Sequence, residues 1–364
     1  MIRALRAHPV PALCAALWIA AQIGYPLTEG AARDRLTVTV VLLSAATALT
    51  HAAVTRGPLF AAGFLAAVAG PGLLAEVLGT ATGYPFGCYA YATDRIGPAL
   101  ADVPLLVPLA WAGGLYPVWI VAGALFGRGL PRIAATAIGG VGWDLFLDPQ
   151  MVADGQWSWC VTDAGLPGVE VIPVTNYLGW FAVGLVMAAL LEVLDRSTPA
   201  AEHRIAGIGT TDAESTAGRG RAAADPDRLP TDAIGRADAT TNCRETSGEP
   251  AATGTTGDGR SMGRPVTSAQ PAGRPVRIGG PTAGHVTEAV RMVPDVESSG
   301  LYSAANAVPI VVYLWTWLGS TLAHAVFLGL PASAVYGAFG MAVVGVPLLV
   351  GLGRQVRSAG SRAG

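Results

Sequence analysis

The sequence predicts an all-α, polytopic helical membrane protein. Hydrophobic residues make up 52% of its 364 residues and charged residues only 13%, whereas soluble domains carry about 25% charged residues. Several apolar runs reach the roughly 20 residues that cross a bilayer as a helix. These runs are continuous rather than alternating, which disfavours a membrane barrel and favours helices.

About eight segments share this length and apolar character, and we expect each to be a transmembrane helix. The N-terminal stretch MIRALRAH resembles the start of a signal peptide, but no small-residue cleavage site follows it, so we expect a first membrane helix there. The predicted helices span about residues 10–27, 36–54, 58–78, 105–126, 131–147, 174–194, 303–328 and 333–352.

The segment between the sixth and seventh predicted helices has a different composition. Residues 196–300 are rich in Gly, Ala, Thr, Pro, Asp and Arg and contain no Phe, Trp or Tyr. Such a segment cannot bury enough apolar surface to offset its ordering entropy, so we expect a disordered cytoplasmic linker. The predicted organisation is therefore a six-helix core (1–195), the linker (196–300), two C-terminal helices (301–353) and a basic tail (354–364).

The distribution of arginine predicts the orientation in the cell membrane, because short cytoplasmic loops are enriched in basic residues. Both termini, the linker, and the loops carrying Arg56, Arg128 and Arg132 are placed in the cytoplasm. Only three arginines are placed on the outer side, and each is near an acidic residue: Arg33, Arg35 and Arg95. The loops after the third and fifth helices then share the outer side. The net charge of −2 gives no reason to expect a nucleic-acid partner.

Two carboxyl groups lie within the apolar sequence of residues 139–159. Asp144 and Asp148 are four residues apart, a spacing that puts both on one helix face if the helix extends that far. Pro149 disfavours helical geometry at the residue before it, so we expect the fifth helix to end near Asp148. Apolar surroundings and a helix C-terminus both favour the protonated acid, the form that can donate a proton. The structural alternative is that Asp148 bonds the turn at Pro149 or pairs with an arginine.

Glu76 is a third candidate acid. It lies one turn before the predicted end of the third helix, which is again an outer C-terminal end. The same two effects favour its protonated form. The alternative is an interfacial glutamate that reaches out to water, and the sequence does not choose between the two.

Aromatic residues and one asparagine surround these acids in the sequence. We expect Tyr89, Tyr91, Trp143 and Trp157 to line the site, although for any single ring the ordinary aromatic belt of a membrane protein is the favoured interpretation. Tyr89 and Tyr91 point the same way in an extended segment. Asn176 is either the N-cap of the sixth helix or a donor to a bound polar group.

Other candidate features have ordinary structural explanations. His324 is alone in the seventh helix, where a histidine is more often a hydrogen-bonded packing residue than a catalyst. Cys88 and Cys160 would both lie outside, where a disulfide is allowed, but two free thiols are favoured. No nucleotide-binding, zinc-hydrolase or acyl-transfer motif occurs, so we predict no metal and no cofactor.

Four runs in order resemble one family. They are EVLGTATGYPFGCYAY (76–91), IGPALADVPLLVPLAW (96–111, followed by Tyr116), WDLFLDPQMVADGQWSW (143–159) and IPVTNYLGW (172–180). These runs resemble the carotenoid biosynthesis membrane proteins of the CruF type, which include bisanhydrobacterioruberin hydratases and carotenoid 1,2-hydratases. The resemblance covers most of residues 76–180. The other predicted helices match only as apolar segments, and the linker is unlike the compact family pattern.

The resemblance implies addition of water across the terminal C=C bond of an acyclic carotenoid end group, giving a tertiary alcohol. Membrane lipid, the carotenoid and other carotenoid enzymes are then the expected partners. In our hypothesis Asp144 donates the proton, and Asp148 or Glu76 positions and deprotonates the water. Ring faces or a second carboxylate would stabilise the tertiary carbocation, and Tyr89, Trp143 and Trp157 would line the site.

Two alternatives belong to other functional classes. A prenyltransferase or cyclase acting on carotenoid ends would bind magnesium diphosphate through a DDxxD-like motif, whereas Asp144 and Asp148 have DxxxD spacing. A transporter should show internal repeats with broken helices at matching positions, and none is evident. A non-catalytic scaffold for pigment enzymes would add nothing to the carotenoid.

Overall fold

The computed structural model describes residues 8–161, 164–198 and 303–363. The predicted linker, apart from its first three residues, lies outside the described residues. The predicted basic tail continues the last helix as far as Ala363.

Eight helices account for most of the described chain. They are α1 (Pro9–Gly24), α2 (Gly30–Arg56), α3 (Pro58–Thr82), α4 (Leu106–Phe126), α5 (Leu130–Ala153), α6 (Val174–Ser197), α7 (Ala307–Phe327) and α8 (Pro331–Ala363). In this part of the chain, all of them except α5 are long and apolar enough to cross a membrane. The protein is therefore an α-helical, multi-pass membrane protein, as the sequence predicts.

Helix α5 is long enough to cross a bilayer but is less apolar than the others. It carries Arg132, Asp144 and Asp148, and all three side chains are buried. It packs against α4, α6 and α8. The bundle can thus hold a polar helix because neighbouring helices, rather than lipid, surround its polar side chains.

Helix α5 also continues past the point where the sequence predicts its end. Pro149 lies inside the helix, which ends at Ala153, so the predicted end near Asp148 is wrong. A proline removes the N–H that would bond the carbonyl four residues earlier, which here is that of Leu145. The hydroxyl of Ser333 in α8 donates to the Leu145 carbonyl oxygen at 2.7 Å. A side chain from another helix therefore supplies the missing donor.

Three antiparallel two-stranded sheets, two of them hairpins, form one end of the bundle, which we call the hairpin end. They pair β1 (Tyr89–Tyr91) with β4 (Trp157–Trp159), β2 (Ala99–Leu100) with β3 (Val103–Pro104), and β5 (Gly165–Leu166) with β6 (Val169–Pro173). In the first pair Tyr89 lies opposite Trp159 and Tyr91 opposite Trp157. A disulfide joins Cys88 to Cys160 beside this pair, so the prediction of two free thiols is wrong.

A buried ionic cluster forms at the opposite ends of the helices, which we call the ion-pair end. Asp195 of α6 pairs with Arg56, Arg128 and Arg132. Glu192, one turn earlier, pairs with Arg132 and with the arginine that follows Asp195. These arginines come from the loops that the sequence assigns to one membrane face, and the structure brings those loops together.

Candidate active site

Both α5 carboxyl groups face α6 and contact one side chain of its first turn. Asp144 and Asp148 are 1% and 5% exposed, and Asn176 is 2% exposed. The Asn176 amide nitrogen lies 2.5 Å from Asp148 Oδ2 and 3.5 Å from Asp144 Oδ2. The two carboxyl groups also share a hydrogen bond. Because α5 continues through Pro149, the predicted placement of both acids on one face is confirmed.

Asn176 is therefore a donor to buried polar groups rather than a helix cap. Pro173 occupies the N-cap position of α6, and no side chain caps that helix. Of the two interpretations that the sequence allows, the N-cap is wrong.

Glu76 of α3 completes the group of acids and is tied to the hairpin end. It is 3% exposed, which excludes a side chain reaching out to water. The Tyr89 hydroxyl donates to Glu76 Oε2 at 2.5 Å, and Tyr91 gives the same carboxyl a second hydrogen bond. Burial, reinforced by the nearby Glu76 carboxyl, raises the pKa of the Tyr89 hydroxyl, so this group stays a donor.

A glycine makes the contact between Tyr89 and α3 possible. Gly79 follows Glu76 by nearly one turn, and a Cβ atom there would lie 2.6 Å from both the Tyr89 hydroxyl oxygen and the Phe86 ring. A side chain at Gly79 would therefore push strand β1 away from Glu76.

Aromatic rings enclose the three acids. Trp157 hydrogen-bonds Asp148 and packs edge-on against Tyr91, with ring centroids 5.4 Å apart. Tyr89 stacks on Trp159 at 5.6 Å. Trp143 instead packs against Trp111 at 5.2 Å and lines a separate groove on a neighbouring face of α5. The structure thus brings Tyr89, Tyr91 and Trp157 to the acids, and places Trp143 beside them rather than among them.

The cluster contains carboxyl groups and neutral donors. In the described part of the chain, Asp144, Asp148 and Glu76 make no ion pair with arginine. The described residues as a whole include no group of three His, Cys, Asp or Glu side chains that could hold a metal ion. A buried acid without a cationic partner can exchange a proton with a bound molecule, and the aromatic faces beside it can stabilise a cation.

Tyr177 is a polar residue of this region whose placement the sequence does not reveal. It follows Asn176 in the first turn of α6 and interacts electrostatically with Asp144 and Asp148. Its hydroxyl is buried without a hydrogen-bond partner among the described residues. The only signal in the sequence is its position next to Asn176, since a tyrosine at a membrane interface is otherwise unremarkable.

Comparison with known proteins finds one family similar to the part of the chain that carries the site. The profile of the family described as "Carotenoid biosynthesis protein" matches residues 36–210, which include all three acids, Asn176 and the β1–β4 pair. The match covers slightly less than half of the chain. The family resemblance of the sequence runs is thereby confirmed.

A curated relative is similar to part of the chain. Bisanhydrobacterioruberin hydratase of Haloarcula japonica is 30% identical over 122 residues, which are 32% of this chain and 40% of the relative. The match thus spans about two fifths of the length of that relative. No solved structure matches the chain.

Proposed function

We propose that this protein is a carotenoid hydratase, which adds water across the terminal C=C bond of an acyclic carotenoid end group to give a tertiary alcohol. The observation that carries the proposal is the buried cluster of Asp144, Asp148 and Glu76, enclosed by aromatic rings and without a cationic partner in the described chain. The family profile and the partial similarity to a hydratase support the same chemistry.

The first step is proton transfer from Asp144 to the alkene. The proton adds to the less substituted carbon, which leaves a tertiary carbocation at the other carbon. A neutral carboxylic acid is needed for this step. Asp144 suits it because it is the more deeply buried member of the α5 pair.

The second step is capture of the carbocation by water. The ring faces of Trp157 and Tyr91, with the newly formed carboxylate, stabilise the cation. Water forms the C–O bond and loses a proton to Asp148 or Glu76. The hydrogen bond between Asp148 and Asp144 provides a route that returns this proton to the acid. The balance is the addition of one water molecule, with no oxidant, reductant or cofactor.

The geometry favours hydration over the prenyltransferase alternative. A diphosphate-dependent enzyme needs carboxylates that can reach a magnesium diphosphate, whereas the Asp144 and Asp148 side chains are buried and hydrogen-bonded to Asn176. Membrane lipid would deliver the carotenoid, and contacts with other carotenoid enzymes remain a prediction. We place the protein in the cell membrane with the hairpin end outside.

The test uses a host that accumulates the unhydrated carotenoid and expresses wild type, Asp144→Asn or the control Asp94→Asn. Asp94 is an exposed residue at the hairpin end, so its variant should form the alcohol as wild type does. Asp144→Asn should lower the rate at least about 100-fold, within the range for loss of a general acid. Mass spectrometry of the pigments detects one added water per hydrated end group. Equal rates for Asp144→Asn and wild type would remove Asp144 from the mechanism, and no alcohol from wild type would refute the hydratase.

A further inference from the structure

A groove lies beside the acids and plays no part in the steps above. Its cavity volume is about 130 Å³, and the wider space around it, which includes open solvent, is about 1020 Å³. Residues of helices α1, α2, α4, α5 and α7 line it. Gly114 of α4 lets the Trp143 ring lie close to that helix, because a Cβ atom there would lie 2.8 Å from the ring.

The groove is elongated along α7. At one end Trp18 of α1 packs with Val312 of α7, and at the other end the lining includes His324 and Leu328. Val312 and His324 are about 18 Å apart along α7 at the usual helical rise. A groove of this length fits an extended chain rather than a compact metabolite.

The groove wall carries an unsatisfied donor at its Trp18 end. The indole N–H of Trp18 is buried and has no hydrogen-bond partner among the described residues. Leaving such a donor unpaired is unfavourable, and the π face of a polyene is a weak acceptor that would meet it. Trp143 and Trp315 also line the groove and offer ring faces to the same kind of chain.

The other end of the groove carries a polar chain of hydrogen bonds. Ser333 donates its proton to the Leu145 carbonyl, so its oxygen accepts from Nδ1–H of His324 at 2.9 Å. In the neutral ring Nε2 is then an acceptor. Nε2 faces Oε1 of the half-buried Gln150 at 3.2 Å, and both side chains line the groove. Both atoms are then acceptors and cannot bond each other. Two adjacent acceptors are suited to a hydroxyl, which can donate its proton to either of them.

Helix α7 is distorted where it forms this wall. Two π-helical turns, Trp315–Gly319 and Ala323–Phe327, lie in it, and residues of both line the groove. Such turns are rare in proteins, and those that occur often lie at functional sites. The second turn contains His324.

The groove communicates with the acids around α5. At about 100° per residue, Asp144 and Asp148 lie roughly a third of a turn from the groove-lining face of the helix. A smaller cavity shares Leu147 and Met151 with the groove and extends to Trp157, which hydrogen-bonds Asp148. The smaller cavity therefore adjoins both the groove and Trp157, the ring that hydrogen-bonds Asp148.

We propose that this groove binds the polyene chain of the carotenoid, and that His324 and Gln150 hydrogen-bond the hydroxyl of the hydrated end group. The identity of the ligand rests on the proposed function. The alternative is a purely structural role, in which His324 only supports Ser333 at the Leu145 carbonyl. The experiment separates this role from hydroxyl binding.

The experiment measures binding to the full-length protein in lipid nanodiscs, by quenching of tryptophan fluorescence. The two probes are an acyclic carotenoid hydrocarbon and the same carotenoid with a terminal tertiary alcohol. Ala323→Phe fills the groove and should weaken binding of both probes at least about tenfold. The matched control is Val326→Phe in the same helix, where Val326 is 63% exposed on the outer surface, and it should bind both probes as wild type does.

The hydroxyl contact is tested with His324→Phe and Gln150→Leu. Each should weaken binding of the alcohol by about three- to tenfold, which is the usual value of one hydrogen bond, and leave binding of the hydrocarbon unchanged. If His324→Phe does not fold, the result for Gln150→Leu tests the hydroxyl contact, because this variant leaves the contact between His324 and Ser333 intact. Equal effects on both probes would overturn hydroxyl recognition, and wild-type binding by Ala323→Phe would overturn the groove.

Binding and catalysis fail separately in this design. If wild type binds the probes but forms no alcohol in the pigment assay, the groove stands and the hydratase falls. If wild type forms the alcohol but Ala323→Phe binds both probes normally, the hydratase proposal stands and the groove proposal fails.

Discussion

At the scale of single residues, Asn176 makes the pair of acids on α5 possible. Two buried carboxyl groups so close together need donors, and the Asn176 amide reaches both of them. An aspartate at this position would add a third carboxyl, and an apolar residue would leave Asp148 without its shortest hydrogen bond. The amide is neutral, so it satisfies the acids without fixing them in the ionised form as an arginine would.

Replacing Asn176 by leucine should therefore reduce both stability and activity. Leucine has a similar size but no donor, so the buried carboxyl groups lose a partner at a cost of about 1–3 kcal/mol. We expect a lower apparent Tm of the purified protein and a loss of alcohol formation in the pigment assay. Asn176→Gln keeps the amide on a longer stem and should retain more stability than leucine. A leucine variant with unchanged Tm and unchanged activity would show that the amide does not support the acids.

How far the site could be predicted follows from which contacts are local. The spacing of Asp144 and Asp148 depends only on helix geometry and could be predicted from the sequence. The contact of Tyr89 with Glu76 needs the β1–β4 pair, whose partner strand lies some 70 residues further along the chain. No local rule gives that pairing, so the sequence could name these residues as candidates but could not join them.

At the scale of secondary structure, Pro149 shows how a distant residue overrides a local rule. The proline should end or kink the helix, and the sequence offers no other signal there. The replacement donor, Ser333, is 188 residues away from Leu145 in the chain. Only the packing of α8 on α5 reveals it, which is why the predicted end of the helix is wrong while the existence of the helix is not.

This explanation predicts coupling between Ser333 and Pro149. In wild type, Ser333→Ala removes the donor to the Leu145 carbonyl and should destabilise the protein by about 1–3 kcal/mol. In a Pro149→Ala background the backbone N–H of residue 149 can bond that carbonyl, so Ser333→Ala should have a much smaller effect. Tm values of the four proteins, measured in one detergent, give the double-mutant cycle. Additive effects would show that Ser333 does not compensate for the proline.

The same limit applies to the hairpin end. The polar loops after α3 and α5 were expected from composition, but short strands within them carry no clear sequence signal. Cys88 and Cys160 are 72 residues apart, and their pairing follows from the adjacent strands rather than from their spacing. The disulfide thus joins the two strands that hold Tyr89, Tyr91 and Trp157 beside the acids.

At the scale of the whole molecule, the two ends of the bundle differ in chemistry. The ion-pair end collects arginines on Asp195 and Glu192, which are buried in a protein with few charges. Removing one member of such a buried cluster leaves an uncompensated charge and is strongly destabilising. The hairpin end has the disulfide and the acids instead. Arginines of three different loops share the ion-pair end, which is the pattern that the positive-inside rule expects of a cytoplasmic face.

The orientation that we propose can be tested in intact cells. Disulfides persist in oxidising compartments, so the Cys88–Cys160 bond and the arginine distribution both support our proposal that the hairpin end lies outside. In a Cys14→Ser, Cys243→Ser background, which removes the two cysteines outside the disulfide, we would introduce Asp94→Cys at the hairpin end or Ser197→Cys at the ion-pair end. A membrane-impermeant maleimide should label the Asp94→Cys protein in intact cells and the Ser197→Cys protein only after lysis. The acids would then meet water from outside the cell while the carotenoid chain enters from the membrane. The reverse labelling pattern would invert the orientation and place the water supply of the reaction in the cytoplasm.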